Sequence, residues 1–203
     1  MTEPVKKGPI HRVYDWLLGL AERRSGTRAL ALLAFAESSF FPIPPDPLLL
    51  ALCLGRRERS LRFGMVATLA SVAGGLFGYW IGWALWGSLE DRFYAWIPGF
   101  TPEGFERIHG LYDEYGVFIV FLAGFSPIPY KLFTVASGVM GLDILAFTGA
   151  SLVGRGARFL LVAELARRFG PPVRAFLERH LVRLSWAFAI LAVLGFAAVK
   201  WLA

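Results

Sequence analysis

The sequence predicts an all-α integral membrane protein: an inverted repeat with two re-entrant helical hairpins, about three full transmembrane helices and an N-terminal interfacial helix. Three observations lead to this class. The mean hydropathy is +0.55, and charged residues make up 18% of the chain, below the roughly 25% of soluble domains. Residues 63–89 carry no charge, a run longer than the roughly 20 residues that cross hydrocarbon. Finally, two apolar runs are each interrupted by prolines.

Composition excludes several functional classes. The net charge of +6 is typical of arginines flanking membrane spans, so we expect no nucleic acid partner. Cys53 is the only cysteine, so no internal disulfide and no thiolate metal cluster can form. The histidines are far apart and show no metal-ligand spacing. We therefore expect neither a metal nor a cofactor.

Residues 1–28 are predicted to form a cytoplasmic N-terminus. Within them, residues 12–24 place apolar side chains on one face at helical spacing, with arginines around them. This pattern indicates either a helix lying in the membrane interface or a helix packed on the core. The segment before it has no apolar stretch of the kind found in a cleavable signal.

The first repeat is predicted over residues 29–89. Prolines including Pro42 and Pro44 divide residues 29–54 into two pieces, each too short to cross hydrocarbon of about 30 Å. Both flanks of this segment are rich in arginine, which predicts that it enters and leaves by the cytoplasmic face. It is therefore a re-entrant hairpin with the prolines at its tip, followed by a full span over 63–89.

Residues 90–116 are polar and carry a net charge of −4 from six acids and two arginines, which favours an extracytoplasmic linker with a short helix inside. The second repeat, 117–169, has the same order as the first. A hairpin with Pro127 and Pro129 at its tip precedes a transmembrane helix over 144–165.

Residues 170–203 are predicted to form an arginine-rich cytoplasmic loop and a C-terminal transmembrane helix at 184–202. The chain is thus expected to be a multi-pass protein of the bacterial cytoplasmic (inner) membrane, with its N-terminus in the cytoplasm.

The two halves resemble each other in sequence. Residues 41–55 align with 126–141, and residues 71–82 align with 151–162. Because the first hairpin is expected to enter from the cytoplasm and the second from outside, the halves are inverted relative to one another. Inverted repeats with broken helices are a common way for transporters to build a site at the middle of the membrane.

The halves differ in charge at matching positions. Asp46 in the first tip corresponds to Lys131 in the second, and two glycines of the first long span correspond to Arg155 and Arg158. The two arginines are three residues apart and share a helix face. If that face points at the second tip, the three cations converge on a site suited to a phosphate group. The alternative is that the arginines are interfacial anchors.

Two acids of the first hairpin are candidates for proton coupling or gating. Glu37 lies on the entering arm, where it could act through protonation or through an ion pair with Arg158. Asp46 lies nearer the tip and could instead cap the returning helix. A separate group of small residues is predicted to serve close helix packing; it comprises Gly74, Gly78, Gly138 and Gly154.

Three motifs in this order resemble the DedA family, also called the VTT or SNARE-associated domain. They are Glu37 followed by FPIPPD, then FSPIPYKLFTVASG, then GRGARF. The resemblance covers about residues 28–165 and is closest to the bacterial YqaA-like branch. It implies two facing re-entrant hairpins and a role in moving lipids across bilayers, with a dependence on the proton motive force in several bacterial members.

The resemblance also implies roles for single residues. The family's membrane-embedded acids map onto Glu37 and Asp46, and Lys131 matches the later of two arginines that flank the second tip in many members. The earlier of these arginines falls near Ser126 and Pro127, where this chain has no basic residue. The chain departs from the family pattern at this position.

We therefore expect a lipid translocase, of flippase or scramblase type, for an anionic lipid such as undecaprenyl phosphate or a phospholipid. Its headgroup would be held by Arg158, Arg155 and Lys131. Two alternatives stay open: an ion- or proton-coupled transporter of a small soluble solute, and a non-transporting organiser that binds anionic lipids. No nucleophile or metal set indicates an enzyme, and the sequence leaves homo-oligomer formation open.

Overall fold

The computed structural model describes residues 25–41, 43–96, 101–126 and 128–170. Within these ranges all regular structure is helical and no strand occurs, so the predicted all-α class is confirmed for this part of the chain. The predicted interfacial helix at 12–24 and the C-terminal span at 184–202 lie outside the described residues. Pro42 and Pro127, predicted at the hairpin tips, lie outside them as well.

Six α-helices and one short 3₁₀-helix make up the described fold, and one order of elements occurs twice. A helix, a proline break and a ten-residue helix lead into a long helix in each half. The helices are α1 (Gly26–Ser39), α2 (Asp46–Gly55), the 3₁₀-helix (Arg57–Arg59), α3 (Ser60–Trp96), α4 (Pro102–Phe125), α5 (Tyr130–Val139) and α6 (Ile144–Gly170).

The first break separates α1 from α2. The amides of Phe40 and Phe41 both donate to the carbonyl of Ala36, which closes the last turn of α1. The prolines that follow carry no N–H for a continuing helix. With 14 and 10 residues, the two helices are about 21 Å and 15 Å long. Neither helix alone spans hydrocarbon of about 30 Å.

Two helical stretches are long and apolar enough to cross a membrane. They run over Arg57–Ser88, which combines the 3₁₀-helix with most of α3, and over Ile144–Gly170, which is α6. These stretches cover all but the last residue of the span predicted at 63–89 and the whole of the span predicted at 144–165. The side chain of Asp143 begins α6, because its Oδ1 accepts a hydrogen bond from the amide of Ala146 at 2.8 Å.

The segment predicted as a polar linker, 90–116, is more helical than expected. Helix α3 continues to Trp96, and α4 begins at Pro102 and runs without interruption into the apolar half of the second hairpin. Its start is capped by Thr101, whose Oγ1 accepts a hydrogen bond from the amide of Gly104 at 3.1 Å. The sequence contains a helix start signal at this point, Thr-Pro-Glu, and the apolar face of α4 buries Tyr112.

Helix α3 packs extensively against α1 and α5, one helix from each half. Glycines allow these backbones to approach closely. A Cβ at Gly74 would overlap the carbonyl oxygen of Phe35 in α1, and a Cβ at Gly138 would overlap that of Tyr79 in α3. At Gly154 in α6, a Cβ would lie 2.6 Å from the carbonyl oxygen of Phe121 in α4. These contacts fix how each helix is rotated about its axis.

Two apolar clusters flank this arrangement. The first joins α1, α2, α3 and α6 through residues such as Leu30, Leu49 and Phe159. The second joins α4, α5 and α6 through residues such as Val120 and Phe147. Because α6 contributes to both clusters, its arginine-bearing segment lies between the two halves of the molecule.

Candidate functional site

A buried ion pair joins the first hairpin to α6. Nη2 of Arg155 lies 2.5 Å from Oε2 of Glu37, and the two side chains are 3% and 15% exposed. Nε of Arg155 donates a second hydrogen bond, at 2.6 Å, to the hydroxyl of Ser71 on α3. This hydroxyl also lies 2.6 Å from that of Ser38. One guanidinium therefore ties α6 to both α1 and α3.

Aromatic rings occupy the remaining space around Arg155. Its guanidinium carbon is 5.0 Å from the ring centre of Tyr130 and 4.5 Å from that of Phe159, within the range of cation–π attraction. The hydroxyl of Tyr130 donates to that of Ser151 in turn. Arg155 is thus held by a carboxylate, a hydroxyl and two rings.

A second ion pair lies one helical turn further along α6. Arg158 binds Asp46 in a bidentate manner, with Nη2 3.1 Å from Oδ2 and Nε 3.3 Å from Oδ1. Its third nitrogen, Nη1, donates to the backbone carbonyl of Ser126 at 2.5 Å. Asp46 follows the first proline break and Ser126 opens the second, so Arg158 connects the two breaks. Its side chain is 20% exposed and that of Asp46 is 27% exposed.

The predicted ion pair between Glu37 and Arg158 is not formed. Glu37 pairs with Arg155 instead, and Arg158 pairs with Asp46. Each arginine thus has its own carboxylate, and the convergence of the two arginines with Lys131 on one site stays a prediction. Lys131, in the first turn of α5, is half-buried, and its ammonium makes no ion pair or hydrogen bond within the described part of the chain.

Several polar groups of this site were not singled out in the sequence: Ser71, Tyr130, Ser151, Thr134 and the carbonyl of Ser126. The repeat alignment contained one usable signal, since Ser71 and Ser151 occupy matching positions in the two halves. Both are buried and both act as hydrogen-bond partners in the network. The other groups act through pairings that the sequence does not reveal.

A further hydrogen bond joins the two halves directly. The hydroxyl of Thr134 on α5 donates to the carbonyl of Ser38 near the end of α1, at 3.0 Å. That carbonyl is one of the last of its helix and has no intrahelical partner by position. As for metals, no group of three or more His, Cys, Asp or Glu residues comes together among the residues described.

Both ion pairs lie inside a segment that matches a known family. The family model for the VTT domain, the domain of the DedA membrane proteins, matches residues 31–167. The chain belongs to the VTT domain family. The VTT segment contains both proline breaks and all four residues of the ion pairs, and the resemblance found in the sequence is confirmed.

Three known proteins are similar to this chain over most of its length. An uncharacterized protein of Haemophilus influenzae is 35% identical over 93% of this chain and 96% of its own length. A homologue from Histophilus somni is 34% identical over 93% of this chain and 97% of its own length. Undecaprenyl phosphate transporter A of Staphylococcus aureus is 27% identical over 86% and 90% of the two chains. No solved structure matches the chain significantly.

Proposed function

We propose that the chain is a lipid translocase that moves an anionic, phosphate-bearing lipid across the bacterial inner membrane. The observation that carries the proposal is the partly exposed Arg158, whose guanidinium connects the two proline breaks through Asp46 and the carbonyl of Ser126. Family membership and the similarity to a protein named as an undecaprenyl phosphate transporter support the same class. A transporter-like role without enzymatic chemistry is part of the proposal.

The geometry at Arg158 suits exchange of a carboxylate for a phosphate. Arginine binds both groups through the same two-pronged arrangement of N–H donors. Asp46 thus occupies the place that a phosphate headgroup would take. Both side chains are partly exposed, so a headgroup could approach them from outside the protein. When the headgroup leaves, Asp46 returns to Arg158, so that the guanidinium keeps an anionic partner throughout.

Lys131 is proposed as the second cation of the headgroup site. It lies in the first turn of α5, where the helix dipole adds to its positive charge. Among the described residues it has no ionic partner to displace. Arg155, in contrast, is fully surrounded, so its proposed contribution to headgroup binding is indirect, through its hold on α1 and α3.

The proposed path requires the two hairpins to be re-entrant from opposite faces of the membrane, with the N-terminus in the cytoplasm. The shortness of α1, α2 and α5 supports this arrangement, because none of them alone spans hydrocarbon. The lipid tail would stay in the bilayer. Glu37 and Asp46 are the proposed gating or proton-coupling groups, since protonation of either would release its arginine.

A headgroup-flip assay in proteoliposomes tests the proposal. We expect Arg158→Ala to lower the rate for a phosphate-bearing lipid by about tenfold or more, the size of a lost bidentate contact of about 1.4 kcal/mol. The matched control is Arg167→Ala, which removes an exposed arginine paired with Glu164 at the end of α6. Its rate should equal that of the wild type.

Two outcomes would contradict the proposal. Wild-type flip rates in both Arg158→Ala and Glu37→Gln would remove the lipid mechanism. Uptake of a water-soluble label, without movement of headgroups, would instead favour a carrier of small solutes.

A further inference from the structure

A separate group of arginines lies at one end of the molecule. The turn between α2 and α3 forms a concavity of about 480 Å³, lined by Gly55, Arg56, Arg57, Glu58 and Arg59. All five residues are exposed. Gly170 is twelve residues beyond Arg158 on α6, which places this turn about 18 Å along the helix axis from the headgroup site.

The end of α6 lies beside this turn. The guanidinium of Arg57 lies against Gly170, and a Cβ at that glycine would come 2.6 Å from Nη2 of Arg57. Gly170 thus lets the Arg57 side chain rest close to the backbone of α6. The arginine turn and the end of α6 therefore form one continuous surface.

The three arginines of this turn carry more positive charge than the single acid of the turn offsets. Within the described ranges their side chains make no ion pair, and three arginines against the single Glu58 leave a local charge of +2. Arg167 and Arg168 at the same end behave differently. They bind Glu164 at 2.7 Å and 2.5 Å, and so satisfy part of their charge within α6.

Exposed apolar side chains border this charged turn. Leu61 and Met65 on α3 and Phe169 on α6 are each at least 42% exposed. A soluble anion would need only the arginines, whereas a ligand with acyl chains would use both surfaces. The charge of +2 matches a headgroup with two phosphates, because each phosphodiester carries one negative charge.

We propose that the Gly55–Arg59 turn, together with the exposed side chains of Leu61 and Phe169, binds an anionic phospholipid that carries two phosphates. The phosphates contact Arg56, Arg57 and Arg59, and the acyl chains lie along Leu61 and Phe169. This site is distinct from the one around Arg158, and it binds a resident lipid rather than the transported one.

Lipid binding to the full-length protein in detergent, followed by native mass spectrometry, tests the proposal. The ligands are cardiolipin with two phosphates, phosphatidylglycerol with one, and phosphatidylcholine without net charge. We expect cardiolipin to bind about tenfold more tightly than phosphatidylglycerol. The double variant Arg56→Gln/Arg57→Gln should lose about tenfold of this affinity, as expected when paired charge-assisted contacts to phosphate are removed. The double variant Arg167→Gln/Arg168→Gln removes the same charge and should stay within about twofold of the wild type.

Three results would contradict the proposed lipid site. Equal losses in the two double variants would show a diffuse attraction to the charged end. Unchanged cardiolipin binding in Arg56→Gln/Arg57→Gln would show that the turn is not used. Displacement of cardiolipin by an equal concentration of inorganic pyrophosphate would identify a soluble diphosphate as the ligand. Equal thermal midpoints of the two variants and the wild type, without added lipid, exclude misfolding as the cause of a loss.

Discussion

The two ion pairs of α6 have the same chemistry but different surroundings. Glu37–Arg155 is almost fully buried, and a serine hydroxyl and two aromatic rings complete its shell. Asp46–Arg158 is about one-fifth to one-quarter exposed and is completed by a backbone carbonyl. Each pair joins an acid of the first half to a base of the second half.

The two pairs therefore differ in how easily the arginine can exchange its carboxylate for another partner. A buried pair loses most of its hydration, and breaking it leaves a charge that water cannot reach. A partly exposed pair can trade its partner for water or for another anion at much lower cost. The same helix therefore carries one enclosed arginine that joins the two halves and, three residues later, one partly exposed arginine that we propose as the headgroup ligand.

Replacing one arginine at a time gives the largest expected contrast. Arg155→Ala should lower the free energy of unfolding by about 3–5 kcal/mol, because Glu37 is left as an unpaired buried carboxylate. Arg158→Ala should cost clearly less, because the Asp46 carboxylate that it leaves behind is 27% exposed and not enclosed by protein. The measurement is reversible denaturation in detergent, followed by the helical circular dichroism signal.

A compensating variant serves as the control for Arg155. In Glu37→Gln/Arg155→Gln both charges are absent, so a good part of the lost stability should return. If Arg155→Ala and Arg158→Ala cost the same, burial does not distinguish the two pairs and the comparison fails.

The division of the chain into helices and breaks could be predicted because it depends on local signals. The prolines after Phe41 and Ser126 end one helix each, and the uncharged run of 63–89 lies within α3. The extent of α4 could not be predicted in the same way. Its charged first half follows a local cap at Thr101, but its apolar face is buried only by contact with distant helices.

The candidate residues were also predictable, but their partners were not. Charges inside apolar segments marked Glu37, Asp46, Arg155 and Arg158 from the sequence alone. Arg155 and Arg158 are about 60° apart around the helix axis, so a small rotation of α6 decides which arginine meets which acid. That rotation depends on tertiary contacts such as the close approach of Gly154 to α4.

An intermediate effect is expected from Ser71, which supports only the buried pair. Ser71→Ala removes the hydroxyl that accepts from Nε of Arg155 and leaves that donor buried without a partner. We expect a loss of about 1–3 kcal/mol in the free energy of unfolding. Thr148→Ala is the control, because this exposed hydroxyl bonds only to a carbonyl of its own helix. A change in Ser71→Ala no larger than that of the control would mean that Arg155 is held by Glu37 and the rings alone.

Asp46→Asn is expected to have the smallest effect on stability. It also tests most directly whether a phosphate can replace Asp46 at Arg158. The amide cannot compete for Arg158 as a carboxylate does, so retention of a phosphate-bearing lipid should increase by about threefold to tenfold, or roughly 0.7–1.4 kcal/mol. The free energy of unfolding should change by less than about 1 kcal/mol, since the pair is partly exposed.

Asp143→Asn is the matched control, because asparagine also caps a helix and this residue lies at the start of α6. Lipid retained per protein after purification, measured by mass spectrometry, gives the readout. Weaker retention in Asp46→Asn would show that the carboxylate orients Arg158 for the headgroup instead of competing with it, and the two pairs would then both serve to hold the fold.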